Sequence, residues 1–136
     1  MYSELERNIP GNLNWEGSFY ERLTEDGEWD SKSFWVLHLE LLNIAKQQNP
    51  DVRVDRDLAY MLLYLQQRVL TLIASHSTNK DSFKICNIDN DQLYEFEERF
   101  NMAILGAISG KVLPETSFDL VNPLIKMPNK PFKQDK

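Results

Sequence analysis

Cysteine and histidine are scarce in this chain, and their scarcity excludes several kinds of chemistry. Cys86 is the single cysteine, so no disulfide can close within the chain and no cysteine cluster can hold a metal. A reducing compartment is the expected setting. The two histidines, His38 and His76, each lack a second His or Cys at i+3 or i+4, the spacing at which one helix face offers two ligands. The five glycines form no phosphate-cradling loop, and no serine sits in a nucleophile elbow. Hydrolase, kinase and dinucleotide-binding activities therefore lack their minimum parts, and no catalytic, cofactor-binding or metal-ligating residue is assigned. No apolar run approaches the roughly 18 residues of a membrane span. The start, Met-Tyr-Ser-Glu-Leu-Glu, has neither the basic residues nor the apolar stretch of a secretory signal. The expectation is a soluble, cytoplasmic protein without a membrane contact.

Positive charge is in deficit as well. The 15 Lys and Arg against 21 Asp and Glu leave a net charge of −6. That balance argues against a nucleic-acid partner, which needs clustered Lys and Arg, and fits a protein that meets something basic. The excess has a location. Residues 1–30 hold eight acids (Glu4, Glu6, Glu16, Glu21, Glu25, Asp26, Glu28 and Asp30) against Arg7 and Arg22, whereas the remaining chain holds thirteen of each sign.

What is present is enough for one globular domain. The 136 residues are 42% hydrophobic and 26% charged, which supports one core and not two. Three long helices are predicted. The first starts after Asp30 or Ser31 and ends before Asn49-Pro50, with Phe34, Leu37, Leu41, Ile44 and Ala45 on one face and Glu40, Asn43 and Gln47 in a thin polar stripe. The second runs from about Asp55 to about Ser77. Its seam is Leu58, Leu62, Leu65, Val69, Leu72 and His76, and its outer stripe includes Tyr60 and Tyr64. The third spans about Asp91 to Ser109, with Asp89, Asn90 and Asp91 at its start, Gly110 as its stop, and Leu93, Phe96, Phe100, Ala103, Ile104 and Ala107 inward. Residues 1–30 are expected to form an irregular aromatic arm with a short helix or hairpin around Phe19–Leu23, packed on the core because its aromatics need burial. Residues 78–90 read as a connection with a short extended piece near Phe83–Ile88. Pro114, Pro123, Pro128 and Pro131 make the C-terminal part extended. The fold class is mainly α: a compact bundle of three principal helices within a single domain over residues 1–125, followed by a flexible basic tail over 126–136 with Lys126, Lys130, Lys133 and Lys136.

Several features invite a functional reading and have a simpler one. His38 and His76 lie on apolar helix faces, where a packed, hydrogen-bonded histidine is the rule. Asn87–Glu98 partly mimics a calcium loop, yet Gln92 stands where the turn needs Gly, so these acids are expected to cap the third helix. Cys86 reads as a small, partly buried thiol. Gly106 and Gly110 suggest close packing and a helix stop. Glu95 and Arg99 are placed to pair on the outside of the third helix at i,i+4. The acids Glu21, Glu25, Asp26, Glu28 and Asp30, with Trp15, Trp29, Tyr60 and Tyr64 as desolvated anchors, are the candidate partner-binding residues. The alternatives for them are a solvated acidic loop and ordinary packing.

Gly11-Asn12, Trp15, the acidic segment through Trp29 and the helix Ser33-Phe-Trp-Val-Leu-His-Leu-Glu-Leu-Leu resemble the small bacterial immunity proteins of polymorphic-toxin and contact-dependent growth inhibition systems. The resemblance covers the first third of the chain by motif and implies a cytoplasmic antitoxin. Such a protein binds one cognate toxin domain, commonly a basic nuclease, and blocks its active site or substrate access. It implies no catalytic residues and no particular fold. The competing expectation is a helical adaptor or regulatory homodimer that pairs through the seam of its longest helix, so the oligomeric state stays open.

Overall fold

The computed structural model describes residues 2–126, so nearly all of the basic tail lies outside the described residues. The chain is mainly helical, with no strand among the described residues. Its elements are α1 (Ser3–Arg7), α2 (Phe19–Asp26), α3 (Ser31–Gln47), α4 (Arg56–His76) and α5 (Asn90–Ser109), followed by a 3-10 turn at Glu115–Ser117. No described helix is long and apolar enough to cross a membrane.

The long helices begin where the side chains can accept the free amides of a first turn. Asp30 accepts from the Ser33 amide at 3.2 Å, Asp55 from Leu58 at 3.0 Å and Asp89 from Gln92 at 2.8 Å. Gln92 returns the bond, accepting from the Asp89 amide at 3.2 Å to complete a capping box. These acids are therefore helix caps, as expected for the false calcium loop. α5 ends on Gly110 at φ +80°, a left-handed conformation that favours glycine.

The arm is more regular than predicted, because it contains two helices. α2 is capped by Ser18, whose side chain accepts from the Glu21 amide at 3.2 Å. α1 has no cap of its own. Instead Glu40 reaches out of α3, and its two carboxylate oxygens accept from the amides of Glu4 (3.2 Å) and Leu5 (2.6 Å). A carboxylate at that place satisfies orphan donors and faces the positive end of the helix. Burial raises the nearby Glu4 carboxyl above its usual value, with Arg7 opposing the rise and Glu40 adding to it.

α3 is the central element; it packs chiefly on α5 and also meets α1 and α2. The inward residues predicted for α3, and those predicted for α5, are buried. On α4, Leu58, Leu62, Leu65 and Val69 are buried and Leu72 is half-buried. That seam faces the chain's own core, so a homodimer would need another surface. Gly106 sits where an added Cβ would come 2.7 Å from the Lys111 carbonyl oxygen, which makes it a packing glycine that lets the chain fold back on α5.

An aromatic cluster joins the arm to this framework. The Trp29 ring lies 4.8 Å from Phe19, 5.5 Å from Phe34 and 5.4 Å from Phe96, centre to centre. Its backbone is held by Asn87, which accepts from the Trp29 amide at 2.8 Å and donates to the Trp29 carbonyl at 2.9 Å. Just before this pair, the Cys86 amide donates to the Gly27 carbonyl at 2.9 Å. Residues 83–88 form no strand, and Cys86 is exposed rather than partly buried. Its amide is fixed by Gly27 while its side chain faces water.

Truncating Trp29 to Ala should cost about 3–5 kcal/mol, the usual consequence of removing a large ring from a packed interior. Urea unfolding of the variant measures this. A loss under about 1 kcal/mol, the scale of a typical non-core substitution, would separate the arm from the core.

Candidate functional site

The nine candidate residues fall into four groups. Trp29 is corrected outright: at 1% exposure it is a core residue and can offer no surface to a partner. Glu21 and Asp30 are engaged locally. The Glu21 carboxylate accepts from the Gly17 amide at 2.9 Å, and Asp30 caps α3 while lying 3.6 Å from Arg22. Glu25 and Asp26 are exposed at the end of α2, and Glu28 is half-buried just beyond them.

The fold enlarges this acidic end. The mutual bonds between Asn87 and Trp29 bring the start of α5 alongside residues 27–30, so the exposed Asp89 and Asp91 stand at the same end of the molecule as Glu25, Asp26 and Glu28. Two basic residues lie beside Gly27: Arg22, whose carbonyl accepts from the Glu28 amide at 3.2 Å and whose guanidinium is 3.6 Å from Asp30, and Lys84. The Lys84 ammonium turns away to donate to the carbonyls of His76 (3.0 Å) and Thr78 (2.9 Å), where it neutralises the negative end of α4. His76 is likewise structural, its Nδ1 accepting from the Ile85 amide at 2.9 Å.

Tyr60 and Tyr64 belong to a different surface. Their rings are 5.8 Å apart on the first half of α4, with Tyr60 61% exposed. Arg68, one turn on, donates to the Tyr20 hydroxyl at 3.4 Å, and Tyr20 meets the half-buried Trp15 edge-on at 5.6 Å. Trp15 and the tyrosines thus border the middle of α4. The acidic end lies near His76, sixteen residues and about 24 Å of helix beyond Tyr60. One small interface would not cover both.

Sequence reasoning missed a buried polar hub. Arg99, expected to pair outside with Glu95, is 2% exposed and forms its ion pair with Glu115. The reason is position: Arg99 lies three residues after Phe96 and four before Ala103, within the inward face of α5. Its Nη1 donates to the Leu120 carbonyl at 3.0 Å, and the guanidinium stacks 3.8 Å from the centre of the Phe118 ring. The other Glu115 oxygen accepts from the Asn122 amide at 2.8 Å. These contacts strap residues 111–122 across α3 and α5.

His38 completes the hub, and both of its ring nitrogens face donors. Arg99 Nη2 is 3.1 Å from Nε2, and Asn122 Nδ2 is 3.0 Å from Nδ1. The orientation of Asn122 is set by its other bonds: Nδ2 donates to the Trp35 carbonyl at 3.1 Å and Oδ1 accepts from the Leu124 amide at 2.8 Å. A neutral imidazole can accept once here, and an imidazolium cannot accept at all. Burial, with the Arg99 charge adding to it and Glu115 opposing, lowers the His38 pKa to about 4. The hub holds a neutral histidine and a compensated cation, which suits a strap. Among the described residues no group of three or more His, Cys, Asp and Glu is placed to hold a metal ion.

Aliphatic surface collects beside the hub. A groove of about 370 Å³ at the end of α5 is lined by Met102, Leu105, Gly106, Ser109, Val112 and Leu113, with Lys111 at its edge.

The His38 environment has a pH signature. Between pH 6.5 and 4 the unfolded chain binds a proton that the folded chain refuses, so this group makes stability fall as pH drops through that window. The effect is on the order of 3 kcal/mol. Urea unfolding at pH 7 and pH 4.5 should show a smaller acid loss for His38→Gln than for the parent chain. Equal losses would contradict the assignment.

In comparisons with protein-family models, with curated proteins and with solved structures, nothing matches the chain.

Proposed function

We propose that the protein is an immunity-type inhibitor that acts in the cytoplasm by binding one basic toxin domain, of the nuclease kind, and shielding its cationic surface. The observation that carries this reading is the gathering of Glu25, Asp26, Glu28, Asp89 and Asp91 at one end of the fold from two separate stretches of sequence. A nuclease must present positive charge to hold a phosphate backbone. An acidic surface can occupy the same field, and its attraction speeds encounter by one to three orders of magnitude at low salt. The resemblance of the first third of the chain to immunity proteins points the same way. The alternative of a helical adaptor homodimer is weakened because the α4 seam it needs is committed to the core.

The experiment is co-expression with the product of the adjacent reading frame, which this reading requires to carry the toxin domain. The inhibitor should protect the cell and co-purify with that domain, and failure of both would end the reading. In purified proteins, reversing Glu25, Asp26, Glu28 and Asp91 to lysine should slow association about tenfold or more at low salt and flatten its salt dependence. Unchanged kinetics would remove the acidic end from the interface.

A further inference from the structure

We infer that the solvent-facing stripe of α5 is the docking surface for a basic, amphipathic helix of the partner, with one large aliphatic or aromatic side chain of that helix seated in the groove at the end of α5. The inference rests on the proposed inhibitor function and names where its partner binds. Asp91, Tyr94, Glu98, Met102 and Leu105 follow one another at spacings of three or four, and all are exposed. At 100° per residue they fall within about 80° of arc, so they form a single stripe down the helix. The stripe is about 21 Å long from Asp91 to Leu105, enough for four turns of a partner helix.

Its two halves differ in chemistry. The first carries Asp91 and Glu98 around Tyr94, which is 72% exposed, and is continuous with the acidic end through Asp89. The second carries Met102 and Leu105, the latter 57% exposed, and opens into the groove walled by Val112 and Leu113. That wall is built into the fold. Gly106 admits the backbone of Lys111 to a distance no other residue would tolerate, and the ion pair between Arg99 and Glu115 holds the segment that follows. Charge complementarity then selects the occupant: a helix with Lys or Arg along one half and a Leu, Met or Phe near the other end. A second copy of this chain would bring its own Asp91 and Glu98 to an acidic stripe, unless it docked antiparallel.

Two fluorescein-labelled synthetic helices test this by anisotropy at physiological salt. One carries lysines in its first half and leucines at i, i+3 and i+7 in its second; in the other, serines replace the leucines. The leucine helix should bind the parent protein about tenfold or more tighter than the serine helix, as expected for burying one large apolar side chain. Leu105→Ser and Leu113→Ser, both at exposed positions, should each remove that advantage and leave the serine helix unaffected. Glu98→Lys should weaken both helices. Equal affinity of the two helices for the parent protein, or an advantage that survives both serine variants, would overturn the groove while leaving the electrostatic reading standing. If neither helix binds, the basic-partner reading falls and the inference with it. A concentration-dependent dimer abolished by Leu105→Ser, without a leucine advantage, would assign the stripe to a second copy and overturn the inference.

Discussion

The packing of Trp29 among Phe19, Phe34 and Phe96 decides where the charge of this molecule stands. Aromatic rings of this size dominate the burial available to a small core. Here one ring draws the end of the arm against α3 and α5. Because Asn87 grips the backbone of the same residue, the start of α5 is drawn in too. The acids on either side of these contacts are left facing water at one end. An apolar interaction thereby produces an electrostatic feature.

The second constraint is the hub at Arg99. A buried guanidinium is costly unless compensated, and this one is compensated by Glu115, the Leu120 carbonyl and a neutral His38. Two buried donors, Arg99 Nε and Trp29 Nε1, have no partner among the described residues. The arrangement gives register more than stability: Glu115 and Asn122 can each reach their partners in one position of the strap. That register puts Val112 and Leu113 beside Leu105 and so shapes the groove.

The three long helices could be read from the sequence because each repeats its apolar residues at three and four and starts on an Asp. The arm was harder. A short helix or hairpin is expected around Phe19–Leu23, and Ser18 and Glu21, at the spacing of a capping signal, decide for the helix. α1 has five residues and no cap of its own, and its amides are met by Glu40, 35 residues away from Leu5, so no local pattern announces it. The charge of Arg99 and Glu95 at i−4 point it outward, whereas its position between Phe96 and Ala103 turns it inward. An aromatic among acids reads as an interface anchor, yet the neighbours of Trp29 in space are Phe19, Phe34 and Phe96. The acidic end was half visible: Glu25, Asp26 and Glu28 were in view, but Asp89 and Asp91 join them through a contact spanning 58 residues.

The central claim is that a basic partner meets the acidic end rather than the tyrosine face of α4. Amide chemical-shift mapping on isotope-labelled protein, titrated with the product of the adjacent reading frame, tests it most directly. The account predicts perturbations concentrated at residues 25–30 and 87–94. Perturbations confined to the stretch from Tyr60 to Arg68, or none anywhere on the chain, would contradict it.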